Sequence, residues 1–388
     1  MSLLLYEYCI LYMQSRAYLN TKATIVNSSK CDRNNVIDTS VNNNNGRSTE
    51  DIFDVGIIGG GFGGLSTALL LGRYLRSVII FDISKDRNYN IHGYLGFENS
   101  LIKNAIQKSW SDVLKYKSVK RVEERVETVK ADKDDYDRDI FLISTSLKAK
   151  KGDDTIEEIF QKKVYKTRYV VFATGVEHLK PKIKNFNKFL GNGIWHCPHC
   201  DGFESTKKKL ILIASNKDYA EAMNYAKVFL GWTKDITLFL QGLDNDKAYY
   251  KNQKSNRLTE KQKNELTSLG INVVEDDYIV EIIYDSQKYT ITGVLTNGNT
   301  LHKADIIFYH FGILIQNDIA QKLGCKSDSG YIRVNEKQQT TIPKVYAVGD
   351  IDTDRHYAIL ASASGAVAAL AIYEDLLRGA IASTKKSR

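Results

Sequence analysis

The stretch Asp54-Val55-Gly56-Ile57-Ile58-Gly59-Gly60-Gly61-Phe62-Gly63-Gly64 decides the architecture of this chain. Its first five residues read as a short buried strand, and Gly59, Gly61 and Gly64 follow at the spacing G-x-G-x-x-G. Residues 65–74 then carry a helical pattern, with Ala68 four places after the last glycine. The first glycine permits a tight turn, the second lets backbone approach a pyrophosphate, and the third lets helix pack on strand. A second apolar run, Ser77-Val78-Ile79-Ile80-Phe81, ends in Asp82, a carboxylate placed to accept from ribose hydroxyls. A glycine run alone says little. Strand, glycines, helix, strand and acid in register predict a dinucleotide site in an α/β fold.

Outward from that unit, the most reactive stretch is Trp195-His196-Cys197-Pro198-His199-Cys200-Asp201-Gly202. Two thiols at this spacing can close a small disulfide loop, and a thiolate is favoured where a helix begins, a start that Pro198 supports. The competing reading is half a zinc site, with His196 and His199 as neighbours. A closed zinc site needs four ligands, and Cys9, Cys31 and Cys325 stand alone, so redox chemistry is preferred and no metal is expected. Five cysteines of which three are isolated do not make a secreted disulfide framework. A reducing compartment, the cytoplasm, follows, and the pair reads as catalytic rather than as a staple.

The composition, 43% hydrophobic and 26% charged over 388 residues, suits a soluble globular chain large enough for two cores. The net charge of +8 comes from lysines spread along the sequence. No basic stripe interleaved with aromatics stands out, so no nucleic-acid partner is expected. The opening apolar run, residues 3–13, is too short to span a bilayer and carries Glu7, so no membrane partner is expected either. Residues 1–50 read as a disordered extension ending in Asn42-Asn43-Asn44-Asn45-Gly46. Few acids beside Arg16 and Lys22 leave a mitochondrial transit peptide as the alternative.

Together with the first glycines and the dithiol, Ala173-Thr174-Gly175 and Thr341-x-Pro343-x-Val345-Tyr346-Ala347-Val348-Gly349-Asp350 give a sequence that resembles the thioredoxin-reductase-like flavoproteins over residues 50–380. The resemblance implies an α/β chain of two Rossmann-like domains, the second inserted in the first. It places an FAD-binding domain at residues 51–177 and 300–388, and a nicotinamide-type domain carrying the dithiol at 178–299. It implies FAD as cofactor, held by Gly59, Gly61, Gly64, Asp82, Asn88, His92, Thr174, Gly175, Gly349 and Asp350. By the same resemblance Cys200 lies against the flavin and Cys197 exchanges with substrate. Asp201, with His199 second, moves the proton between thiol and flavin. A homodimer is expected, with a small-molecule dithiol or a thioredoxin-like protein as substrate.

One departure is informative. Where the second domain of this family repeats its glycines, the chain has Ala214-Ser215-Asn216-Lys217-Asp218-Tyr219, and after the next strand Gln241-Gly242-Leu243-Asp244 replaces a cluster of arginines. Side chains then fill the space where backbone would approach a pyrophosphate, and Asp218 adds negative charge. In this the chain is similar to the gliotoxin-type dithiol oxidases and to a branch fed by ferredoxin. Those oxidases often carry histidine after the second cysteine, whereas this chain has Asp201, as thioredoxin reductases do. The expected function is FAD-dependent oxidation of a dithiol with oxygen or another non-nicotinamide acceptor. An NADPH-dependent disulfide reductase and a non-catalytic flavin-bearing sensor are the alternatives.

Overall fold

The computed structural model describes residues 52–83, 89–149, 159–243 and 258–386. The disordered extension and transit peptide considered for the first fifty residues lie outside these. Strand β1 (Ile52–Ile58), helix α1 (Phe62–Arg73) and β2 (Val78–Phe81) are followed by α2 (Ile102–Val113), β3 (Val119–Val122), β4 (Arg125–Lys133), β5 (Asp139–Ala149) and β6 (Ile159–Phe172). These strands lie in the order β3-β2-β1-β6-β5-β4. The β3, β2, β1 and β6 neighbours are parallel, while β4 and β5 return antiparallel. A strand with parallel partners on both sides is buried on both faces, which is why β1 ends in four consecutive buried residues. β4, at the sheet's edge, carries only two buried residues among nine, as an antiparallel edge strand facing water should.

The chain then builds a second sheet from β7 (Ile194–Trp195), β8 (Leu210–Ser215), β9 (Ile236–Gln241), β10 (Ile271–Val274) and, after an antiparallel three-stranded sheet, β14 (Ile306–His310). The three antiparallel strands are β11 (Ile279–Asp285), β12 (Thr290–Thr296) and β13 (Leu301–Lys303). The second sheet runs β7-β14-β8-β9-β10, all parallel. Alternate residues of β8 serve its two sides. Leu210 and Leu212 pack with Ala222, Met223 and Ala226 of helix α4 (Tyr219–Val228) and Leu266 of α5 (Glu260–Ser268), whereas Ile211 and Ile213 pack with Ile279, Ile282 and Val294 of β11 and β12.

One boundary differs from the expectation. Residues 304–308 read in the sequence as part of the returning first domain, but β14 lies in the middle of the second sheet, its Ile306–His310 pairing with residues 210–214. A run buried on both faces reads alike in either sheet, so the sequence carries no mark of ownership. The chain crosses back after His310, where Ile313–Ile315 pairs antiparallel with the outgoing Val176–His178. It rejoins the first sheet at β15 (Val345–Ala347), which lies parallel beside β6.

The last helix, α6 (Ala358–Lys386), packs Ala368, Ala369 and Ile372 together with Leu65, Ala68 and Leu71 of α1 over the first sheet. Within it, Ala358–Ala382 is long and apolar enough to cross a membrane by length and composition, with 28% of the most apolar window buried. The expectation of no membrane partner rests on residues 3–13 and does not weigh this segment, of which Ala368, Ala369, Ala371 and Ile372 are buried.

Candidate functional site

The ends of β1, β6 and β15 converge with the dithiol on one cleft of about 400 Å³. Gly59, Gly61, Asp82, His92, Thr174, Gly175, Cys197, Cys200, Asp201, Gly349 and Asp350 all line it. Residues far apart in the sequence are thus brought to one surface. Gly64 lies below it: a Cβ there would come 2.1 Å from the Gly59 carbonyl oxygen, so it serves the packing of turn on helix. His199 is exposed and is not among the lining residues. Asn88 falls outside the described residues.

The first turn is built for a ligand's backbone contacts. Gly59 has φ +112°, and a Cβ on it would meet the Ala173 carbonyl oxygen at 2.2 Å. Gly61 is extended, and a Cβ there would find nothing of the protein within 4 Å. It is the N-cap of α1 and no side chain caps that helix. The helix start therefore presents backbone N–H groups to open space, the arrangement that receives a pyrophosphate. Beside it, Asp82 is 5% exposed, and the Arg121 guanidinium lies 3.7 Å from its carboxylate and stacks over Trp110 at 4.4 Å. At the far end Gly349 has φ +77°, and its N–H donates to Ser364 Oγ on α6 at 2.9 Å. Tyr357, Ala358 and Ala361 bring the start of α6 to the cleft. Asp352 nearby is pushed up to about 7 by burial and then by the charge of Asp350.

The second strand-to-helix turn, between β8 and α4, is closed by the chain itself. Asp218 is the N-cap of α4 and accepts from the Glu221 N–H at 2.9 Å. Asn216 is 4% exposed, its N–H donating to the Gln241 carbonyl, and His310 lies 2.9 Å from the Glu221 carboxylate. The two turns occupy equivalent places in the two sheets. One leaves a helix start open over a cavity; the other fills it with a carboxylate.

Cys197 and Cys200 are joined as a disulfide with Cα atoms 5.3 Å apart. Pro198 opens the short helix α3 (Pro198–Asp201), and Cys197 is its cap: the Cys200 N–H donates to Cys197 Sγ at 3.1 Å, which favours negative charge on that sulfur once the bond opens. Asp201 is 5% exposed, and its carboxyl is pushed up to about 7 mainly by burial, with His92 opposing and Glu204 adding to the rise. His92 stands 3.9 Å from Asp201 and 3.0 Å from Glu98.

Sequence reasoning missed part of the wall. His178 and His196 rings lie 3.8 Å apart, with His356 5.9 Å from His178. His196, next to Cys197, enters the sequence reading only as a zinc ligand; His178 and His356 carry no local signal. Among the described residues, no group of three or more His, Cys, Asp and Glu is placed to hold a metal ion. Arg121 and Trp110 also escaped notice, since a charge within the third strand looks like surface.

With this geometry in place, the comparisons agree on one family. The family described as pyridine nucleotide-disulphide oxidoreductase matches residues 53–369. Thioredoxin reductase sirT of Leptosphaeria maculans is 29% identical over 200 residues, 49% of this chain and 56% of that protein. Thioredoxin reductase of Listeria monocytogenes is 25% identical over 197 residues, again 49% of this chain and 56% of its own length. The chain thus spans about half the length of the curated relatives it matches. The crystal structure of HlmI, 24% identical, superposes with a TM-score of 0.72 over 88% of this chain and 98% of that one, which shows a shared fold.

Proposed function

The chain belongs to the pyridine nucleotide-disulphide oxidoreductase family, and from that premise we propose that it is an FAD-dependent thiol-disulfide oxidoreductase that oxidises a dithiol and does not draw electrons from a nicotinamide nucleotide. The observation that carries this reading is that the Cys197–Cys200 disulfide forms a wall of the same cleft whose floor is the open Gly61 turn. The residues present fit FAD. The uncapped start of α1 would hold the pyrophosphate, Asp82 the adenosine ribose, and Asp350 with the start of α6 the other half. FAD, when bound, accepts two electrons from the dithiol and passes them to the final acceptor.

The chain's own residues do the exchange. A substrate thiolate attacks Cys197 Sγ, the bond to Cys200 breaks, and its electron pair stays on Cys200. The second substrate thiol, deprotonated, then attacks the substrate sulfur held on Cys197 and releases Cys197 as a thiolate. The substrate has lost two electrons and two protons and leaves as a disulfide. Asp201, buried beside the pair, can take a proton from the substrate and return one to Cys200. A small-molecule dithiol or a thioredoxin-like protein, a cytoplasmic setting and a homodimer belong to the same proposal.

The second reading, a nicotinamide-dependent disulfide reductase, is favoured by what the relatives are called. The carboxylate of Asp218 at the start of α4 weighs against it, because it holds the Glu221 N–H, one of those that a second pyrophosphate would need, and sets a negative charge beside it. Dioxygen is the acceptor to test first. Incubated with dithiothreitol in air, the FAD-loaded protein should take up one dioxygen, and release one hydrogen peroxide, for each disulfide formed. Dithiol-dependent oxygen uptake no faster than that of free FAD, with rapid NADPH-dependent reduction of a disulfide, would replace this reading with the second.

A further inference from the structure

We propose that His92 and Glu98 form a proton relay joining Asp201, at the dithiol, to solvent. The inference rests on the dithiol reading above and deepens it, since that reading leaves one proton unplaced. When a dithiol reduces the Cys197–Cys200 bond, two protons leave the substrate. One ends on Cys200. The other cannot rest on Cys197 while that sulfur remains a thiolate held by the Cys200 N–H, so it passes to Asp201, which is 5% exposed, and must leave from there.

The route out is drawn by a small hairpin. Asn90–Ile91 pairs antiparallel with Ser100–Leu101, and Asn90 Nδ2 donates to Asn99 Oδ1 at 2.7 Å, closing the loop that carries His92 and Glu98. His92 Nδ1 lies 3.0 Å from Glu98 Oε1, and the second Glu98 oxygen accepts from the Gly93 N–H at 2.7 Å. On its other side His92 Nε2 lies 3.9 Å from Asp201 Oδ1 and 3.8 Å from Glu204 Oε1. The imidazole thus has a buried carboxyl at one nitrogen and an exposed carboxylate at the other: side-chain exposure is 7% for Asp201, 14% for His92 and 63% for Glu98.

A histidine so placed moves a proton by taking it on one nitrogen and giving up the other, with little displacement of the ring. The Asp201 and Glu204 separations exceed a hydrogen bond, and a small shift closes either of them. Glu204 Oε2 is buried without a partner, so the trio of Asp201, His92 and Glu204 has room for a further proton. Burial sets Asp201 near 7, and Glu98 is held below the ordinary carboxylate range, first by its hydrogen bond from His92 and then by the Gly93 N–H. Asp201 and Glu204 face His92 from the dithiol helix and the turn after it, and Glu98 from its own hairpin. The proton is therefore held more tightly at the buried end, and Glu98 serves as its exit to water rather than as a resting place.

The test needs no flavin turnover. Reduction of the Cys197–Cys200 disulfide by dithiothreitol is followed by acid quench, alkylation and mass measurement, from about pH 6 to about pH 8, where a histidine relay changes state. Relative to the parent protein, His92→Ala should slow reduction by roughly tenfold, and added imidazole should restore it. His92→Gln keeps a hydrogen-bonding partner for Glu98 yet passes no proton, and should be as slow as His92→Ala and flatter in its pH profile. Parental rates and profile in both variants, or a loss uniform over pH and untouched by imidazole, would overturn the relay. If the parent disulfide itself resists dithiothreitol, the dithiol reading fails and takes the relay with it.

Discussion

Gly61→Val should give a folded protein that has lost its yellow cofactor. The backbone at Gly61 is extended, a conformation any residue adopts, and a Cβ would touch nothing within 4 Å, so the substitution asks nothing of the packed interior. The helix already starts without a side-chain cap. All the damage falls on the space over the N–H groups of α1. Breaking a charge-assisted hydrogen bond to a phosphate costs about 1.5–3 kcal/mol, and breaking two weakens binding by roughly a hundredfold to ten-thousandfold. The measurement is the flavin absorbance retained after gel filtration, with apo thermal unfolding beside it. Gly59→Ala makes the contrast: it forces an approach of 2.2 Å to Ala173 and an unfavourable φ, so it should destabilise the fold itself. Full FAD occupancy in Gly61→Val would remove the turn from the cofactor site.

Either cysteine replaced by serine should slow dithiol oxidation by on the order of a thousandfold or more, with FAD retained, because one sulfur must form the mixed disulfide and the other must resolve it. The two variants should differ in what they trap. Cys200→Ser leaves the sulfur that receives the backbone N–H of residue 200. Its Cys197 thiolate should attack 2-hydroxyethyl disulfide, release one mercaptoethanol, and hold a mixed disulfide that nothing resolves. Cys197→Ser lacks that favoured thiolate and should label more slowly. Mass measurement of the intact protein reads both, and the reverse pattern would exchange the roles of the two cysteines.

Much of the first sheet was legible because its signals are local. Glycines at fixed spacing, a buried run before them and an acid after the next strand have one structural solution, and Gly59, Gly61 and Asp82 all line the cleft. Cys197, Cys200 and Asp201 were equally plain, since their chemistry lies in neighbours along the chain. What the sequence hid was long-range. Ile306–His310 looks like any doubly buried strand, so its place beside β8 emerges only from pairing. His92, read in the sequence as a flavin contact, lines the cleft, and its nitrogens also face Glu98, Asp201 and Glu204, the last two on a distant part of the chain. His178, His196 and His356 come together from three separate elements. The closed second turn lay between these extremes: the missing glycines were visible, but the use of Asp218 as the cap of α4 is a fact of geometry.

The central claim, that electrons enter through the dithiol and not from a nicotinamide, meets its most direct test in anaerobic stopped-flow mixing of the FAD-loaded protein with NADPH and, separately, with dithiothreitol. Loss of the phosphate hydrogen bonds at a turn occupied by Asp218 weakens nicotinamide binding by roughly a hundredfold or more. The account therefore predicts that dithiothreitol bleaches the flavin and that micromolar NADPH leaves it oxidised over the same interval. Complete bleaching by micromolar NADPH within seconds, with no response to the dithiol, would contradict it.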